Sequence, residues 1–159
     1  MNDLKFYSIN KDYIDYLRKT DTKVPRADYQ LSGRHEKLYC GVVLLINNYL
    51  YFAPLSHQIS NPETSFLIRH KNGNAFASLR LKFMVPVANR QLLTLKNFAS
   101  ETNVQYRGLL SEELTYCRQN STTLKEHAQR VYHTRIQEKR NFQRFCCDFK
   151  ALELAADQY

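Results

Sequence analysis

Leu38-Tyr39-Cys40-Gly41-Val42-Val43-Leu44-Leu45-Ile46 is the stretch that decides the fold. It is almost wholly apolar and β-branched at its centre, so it reads as a buried strand. Asn47-Asn48 makes a tight turn, and Tyr49 to Ala53 returns as the partner strand, with Pro54 ending it. Downstream, residues 55–63 read as a loop. Phe66 to His70 is a strand, Asn72-Gly73 is the strongest hairpin signal in the chain, and Phe76 to Phe83 returns. Pro86 lacks an N–H and so confines the next strand to an edge or an end. Leu92 to Leu95 is the last strand.

Upstream, Leu4 to Ile9 forms a first strand. Asn10 caps a helix whose apolar residues Tyr13, Ile14, Tyr16 and Leu17 keep helical spacing, fading by Asp21. Residues 22–36 are polar, contain Pro25 and Gly33, and read as a long loop, of a length that is often functional. The C-terminal third is helical. Gln105 to Gln119 presents Leu109, Leu110, Leu114 and Cys117 on one face, and Thr123 with Glu126 fits a capping box. Leu124, Ala128, Val131 and Tyr132 continue the period, followed by Phe142, Phe145, Cys146, Phe149 and Leu152. Hairpins first and helices last predict an α+β fold on a mostly antiparallel sheet.

The 159 residues suffice for one domain with a real core, and residues 1–159 are read as that domain. A composition of 43% hydrophobic and 24% charged residues excludes a disordered chain. Gly and Pro number four each, too few for a collagen-like or linker-like chain. No apolar run reaches the ~18 residues of a membrane span, and the N-terminus carries no signal-peptide pattern. A soluble cytoplasmic protein without a membrane partner is expected. The cysteines Cys40, Cys117, Cys146 and Cys147 form no CxxC pair, so they read as buried thiols in a reducing compartment.

The net charge is +8, which favours a polyanionic partner. From Thr64 to Ser100 there is no acid, but there are six bases: Arg69, Lys71, Arg80, Lys82, Arg90 and Lys96. A second stretch, Lys125 to Arg144, holds six bases against Glu126 and Glu138. Arg69, Lys71, Arg80, Lys82, Arg130 and Arg135 are the candidate RNA contacts. The chain has 11 Tyr, a residue that stacks on unpaired bases, although most of its aromatics read as ordinary core.

No P-loop, HExxH or GxSxG motif occurs, and Glu63 is the only acid between Lys37 and Ser100, which argues against a carboxylate cage for Mg²⁺. Neither a metal nor another cofactor is expected. Metal-free RNA cleavage needs a base, an acid and donors for the phosphorus oxygens. The loop Pro54-Leu55-Ser56-His57-Gln58 follows a strand directly, and a His held there can serve as acid or base. Lys37 precedes the central strand, which fixes its position. A surface His and a solvated Lys are the ordinary alternatives, and composition alone does not separate them.

Six pieces in order complete the reading. They are Phe6-Tyr7-Ser8-Ile9 followed by Tyr13-Ile14-Asp15-Tyr16-Leu17; Lys23-Val24-Pro25; Lys37; Gly41-Val42-Val43-Leu44; Tyr51-Phe52-Ala53-Pro54-Leu55-Ser56; and Leu81-Lys82-Phe83-Met84-Val85-Pro86-Val87. Together, over residues 4–87, they resemble the ToxN/AbiQ/CptN endoribonuclease toxins of type III toxin–antitoxin systems. The resemblance implies a compact, twisted antiparallel sheet with surrounding helices, similar to the Kid/MazF toxin fold. It implies metal-independent RNA cleavage leaving a 2′,3′-cyclic phosphate, and growth arrest with abortive phage infection. The implied partners are cellular or phage RNA substrates and a small, repeated, pseudoknot-type antitoxin RNA. The toxin itself cuts that RNA from a precursor and alternates with it in a closed assembly.

By the same resemblance, Tyr13, Lys37 and Ser56 match family active-site positions. The family commonly carries a lysine three residues after the hydroxyl residue, where this chain has Ile59, preceded by Gln58. Either His57 takes the role or activity has been lost. A non-catalytic RNA-binding protein on the same fold is therefore the alternative function. A DNA-binding regulator ranks below both, since no helix-turn-helix with a basic second helix is evident.

Overall fold

Tyr39–Ile46 does form the central strand, and five of its eight residues, Tyr39, Cys40, Gly41, Val43 and Leu44, are buried. The structure, a computed structural model, describes residues 4–27, 36–59, 61–137 and 139–159. The expected 22–36 loop falls largely outside them; residues 22–27 have no regular structure. The strands are β1 (Lys5–Ile9), β2 (Tyr39–Ile46), β3 (Tyr49–Ser56), β4 (Ser65–Arg69), β5 (Ala75–Arg80), β6 (Val85–Val87) and β7 (Leu93–Leu95). They form one sheet in the order β4-β5-β3-β2-β1-β7, with β6 paired to β3. Every pairing is antiparallel.

The β2–β3 turn places Asn47 at φ 51° and Asn48 at φ 69°, the left-handed pair that a two-residue hairpin loop demands. Gly73, at φ 92°, serves the β4–β5 hairpin in the same way. Gly41 pairs with Phe52 across the sheet, and the register shifts between Gly41 and Leu44. The two residues between them, Val42 and Val43, bulge from β2.

Pro54 does not end β3. The strand runs on to Ser56, so Leu55 and Ser56 lie in the sheet rather than in a loop. Pro54 falls between the last β6 pair, Phe52–Val85, and the first β5 pair, Leu55–Leu79. Its missing N–H therefore sits where one neighbouring strand gives way to another. The β5 strand stops at Arg80, and Leu81–Phe83 is a 3-10 turn. Pro86 lies in the three-residue β6, paired on one side only.

The helices are α1 (Lys11–Thr20), α2 (Val104–Gln119), α3 (Ser121–Ile136) and α4 (Phe149–Asp157). Asn10 caps α1 as expected, its side chain accepting from the Tyr13 N–H. The Thr123 capping box does not form. The α3 helix already begins at Ser121, so Thr123 has helical backbone and cannot serve as an N-cap. Asn120 joins α2 to α3 and turns its side-chain amide back onto Tyr116 O at 2.9 Å. The helical period also breaks before Phe142, where a 3-10 segment intervenes and Asn141 adopts φ 58°. Phe142, Cys146, Phe149 and Leu152 are nonetheless buried.

The α4 helix packs on β6, α1 and α3, and α3 also crosses β2. At their junction Glu153 accepts hydrogen bonds from Tyr51 and Tyr132, both at 2.7 Å. The four cysteines are free and buried.

Candidate active site

The Leu55 N–H donates to Leu38 O at 2.9 Å, which lays the residues just before β2 alongside the end of β3. This brings Lys37 to Ser56 and His57. Lys37 Nζ donates to Leu55 O at 3.1 Å. Burial, and then the neighbouring Arg80 charge, lower its pKa to about 8. Lys37 also lines a cavity of about 250 Å³ with Ser8, Asn10, Tyr39 and Thr94.

The 56–58 segment is fixed by its own polar groups. Ser56 Oγ accepts from the Gln58 N–H at 3.1 Å, and Gln58 O accepts from Ser78 Oγ at 2.9 Å. Gln58 Oε1 accepts from Arg80 Nη2 at 3.1 Å, which holds that guanidinium beside the group. His57 points to α2, where its Nε2 meets Glu113 Oε2 at 2.7 Å. That hydrogen bond raises the His57 pKa, against desolvation and the Lys37 charge. Burial raises the Glu113 pKa, and His57 opposes the rise.

Lys37, Ser56 and His57 thus come together as expected, and Arg80 joins them. Tyr13 does not. It is 1% exposed, and its hydroxyl donates to Pro86 O at 2.6 Å, which makes it part of the α1–β6 packing. Lys82 is half-buried against the rings of Phe83 and Phe145, and burial, followed by the Arg80 charge, lowers its pKa. Arg69 and Lys71 are exposed at the far tip of the β4–β5 hairpin. Arg130 lies on the exposed side of α3, beside a cleft of about 620 Å³.

Arg135 is not a surface contact. It is 9% exposed, and its Nε donates to Cys146 O at 3.2 Å. The α3 helix turns it inward, and a guanidinium so placed joins α3 to the segment before α4 instead of facing an RNA.

Sequence reasoning missed Glu113. It stands on the same α2 stripe as Leu110, Leu114 and Cys117, and the one signal it gave was a charge where the helical period demands an apolar residue. Among the described residues, no group of three or more His, Cys, Asp or Glu is gathered as metal ligands. No helix among them is long and apolar enough to cross a membrane.

Comparison with known proteins places the chain as a whole. The chain is 28% identical to endoribonuclease ToxN of Pectobacterium atrosepticum over 159 residues, covering 94% of this chain and 90% of that one. It is 29% identical to endoribonuclease AbiQ of Lactococcus lactis subsp. lactis over 170 residues, covering 98% and 89%. A solved structure from work on selective toxin inhibition by a non-coding RNA pseudoknot superposes with TM-score 0.86 at 27% identity, covering 99% of this chain and 98% of that one. The structure of AbiQ, a lactococcal anti-phage endoribonuclease, superposes with TM-score 0.81 at 28% identity, covering 98% and 97%. The family model for toxin ToxN of type III toxin–antitoxin systems matches residues 5–157, and the chain therefore belongs to the ToxN toxin family.

Proposed function

We propose that this chain is an endoribonuclease toxin that cuts RNA at the end of β3, without a metal. The observation that carries the mechanism is the meeting of Lys37 and His57 beside Ser56, with their pKa values moved toward each other. Near neutral pH such a pair supplies imidazolium alongside a minor fraction of neutral amine. The Lys37 amine takes the proton from a ribose 2′-hydroxyl. The 2′-oxygen bonds to phosphorus, the bond from phosphorus to the 5′-oxygen breaks, and His57 gives that oxygen its proton. The products are a 2′,3′-cyclic phosphate and a 5′-hydroxyl. Ser56 and Arg80 stabilise the charge on the phosphorus oxygens. The exposed Arg69, Lys71 and Arg130, with Lys82, guide the RNA backbone.

The antitoxin is a small, repeated pseudoknot RNA that the toxin cuts from its precursor and that closes with it into an alternating assembly. A relative inhibited by an RNA pseudoknot and an anti-phage relative support this reading. The biological output is abortive phage infection, executed in the cytoplasm by a single 1–159 domain.

The test is cleavage of a short unstructured RNA in excess EDTA, with analysis of the ends. Cyclic phosphate at an undiminished rate is expected. Mg²⁺-dependent 5′-phosphate ends would overturn the mechanism. Tight RNA binding with no cleavage would make the chain a non-catalytic binder.

A further inference from the structure

Glu113 is an expensive residue. Its side chain is 0% exposed, on the apolar stripe of α2 beside Leu110, Leu114 and Cys117. A carboxylate in such a place loses its hydration and needs full compensation. It has half of that. Oε2 meets His57, but Oε1 is buried with no hydrogen-bond partner among the described residues. A leucine would pack this helix face at no such cost. The neighbouring pair, His70 with Glu112, shows the ordinary form of the contact, since both of its side chains are over 40% exposed (42% and 45%).

The geometry also has a direction. An ionised carboxylate only accepts, so the proton of the contact belongs to His57 Nε2. The ring keeps 46% of its surface exposed, which leaves its other nitrogen, Nδ1, for a ligand. A buried carboxylate that holds an imidazole by one nitrogen sets the tautomer and stabilises the imidazolium.

We propose that Glu113 is the positioning residue of this site: it fixes the His57 ring through Nε2–H and thereby makes Nδ1 the nitrogen that hands a proton to the RNA 5′-oxygen. The proposal rests on the ribonuclease reading above. The other charged or titratable groups facing the pair are Lys37, which opposes protonation of His57, and Glu112, Tyr106 and Cys117 on α2 around Glu113.

The test combines ¹⁵N NMR of the histidine rings with cleavage kinetics across pH, on the full chain and on Glu113→Gln. The His57 signal is assigned by its loss in His57→Gln. The unmodified protein should show Nε2–H in neutral His57. Glu113→Gln should lower the His57 pKa by about one unit. It should also cut kcat about 10- to 100-fold with little change in KM. Glu113→Asp should recover part of the rate. A neutral Nδ1–H tautomer in the unmodified protein overturns the proposal, and it does so even where the variants fail to fold. An active parent with unchanged kcat and His57 pKa in Glu113→Gln overturns it while leaving the ribonuclease reading standing. An inactive parent overturns both.

Discussion

Lys37 Nζ donates to the main-chain carbonyl of Leu55 at 3.1 Å, and this contact ties the segment leading into the central strand to the residue before Ser56. The carbonyl holds the amine in place without neutralising it. Burial can therefore lower its pKa from the ordinary 10.5 to about 8.

Lys37→Arg separates a proton-accepting role from a merely cationic one. Arginine keeps the charge but stays protonated at every accessible pH. Cleavage by Lys37→Arg and Lys37→Met should fall by about 10²-fold or more. The ionisation near 8 should disappear from the pH–rate profile of both. Near-parental cleavage by Lys37→Arg would reduce Lys37 to a charge.

The same lysine should cost stability. Its pKa is lowered on folding, so the unfolded chain binds more protons between pH 8 and 10.5. The cost is full below about 8 and is relieved as the pH rises toward 10.5. At pH 7, Lys37→Met should be more stable by on the order of 1–3 kcal/mol, a figure discounted for partial exposure. That gain should shrink above pH 8 in urea titrations.

His57→Ala should lower the cleavage rate by about 10²-fold or more, as for a lost general acid. Its fold, read by circular dichroism, and its antitoxin-RNA affinity should survive, with a lowered Tm because the change leaves the buried Glu113 without its hydrogen-bond partner. A parental rate would make the imidazole structural.

RNA affinity should be strongly salt-dependent. With about six phosphates neutralised, log K should fall against log salt with a slope of about −4 to −5. Arg69→Ala and Lys71→Ala should each weaken binding modestly and reduce the slope by about one. Arg135→Ala should instead lower the Tm and spare the slope, because its guanidinium serves the Cys146 carbonyl.

Gly41 admits no side chain. A Cβ there would lie 2.1 Å from Cδ2 of Phe52, its partner across the sheet. Gly41→Ala should destabilise the protein by about 2–3 kcal/mol in denaturant titration, since neither β2 nor the ring can withdraw from the packed core.

Much of this molecule is written in local patterns. The apolar run at 38–46, the Asn-Asn and Asn-Gly turns and the Asn10 cap each act over a few residues. They placed the hairpins, the first helix and the α+β order. The four buried thiols and the short, edge-bound strand at Pro86 follow from the same local chemistry. Lys37 could be named because it precedes a strand whose start is legible, Lys37 and Ser56 because their positions resemble a known family, and His57 because it directly follows Ser56.

What the sequence could not show depends on which residues meet. The β3 strand passes through Pro54 only because its neighbouring strand changes there. Arg135 and Tyr13 looked available until packing turned them inward onto Cys146 and Pro86. Glu113 lies 56 residues from His57 in the chain, on a helix with no local mark of function beyond a misplaced charge. Composition and periodicity placed most of the elements and favoured a polyanionic partner. The tertiary structure alone decided which side chains share a site, because burial, field and hydrogen-bond partners are properties of contacts between distant segments.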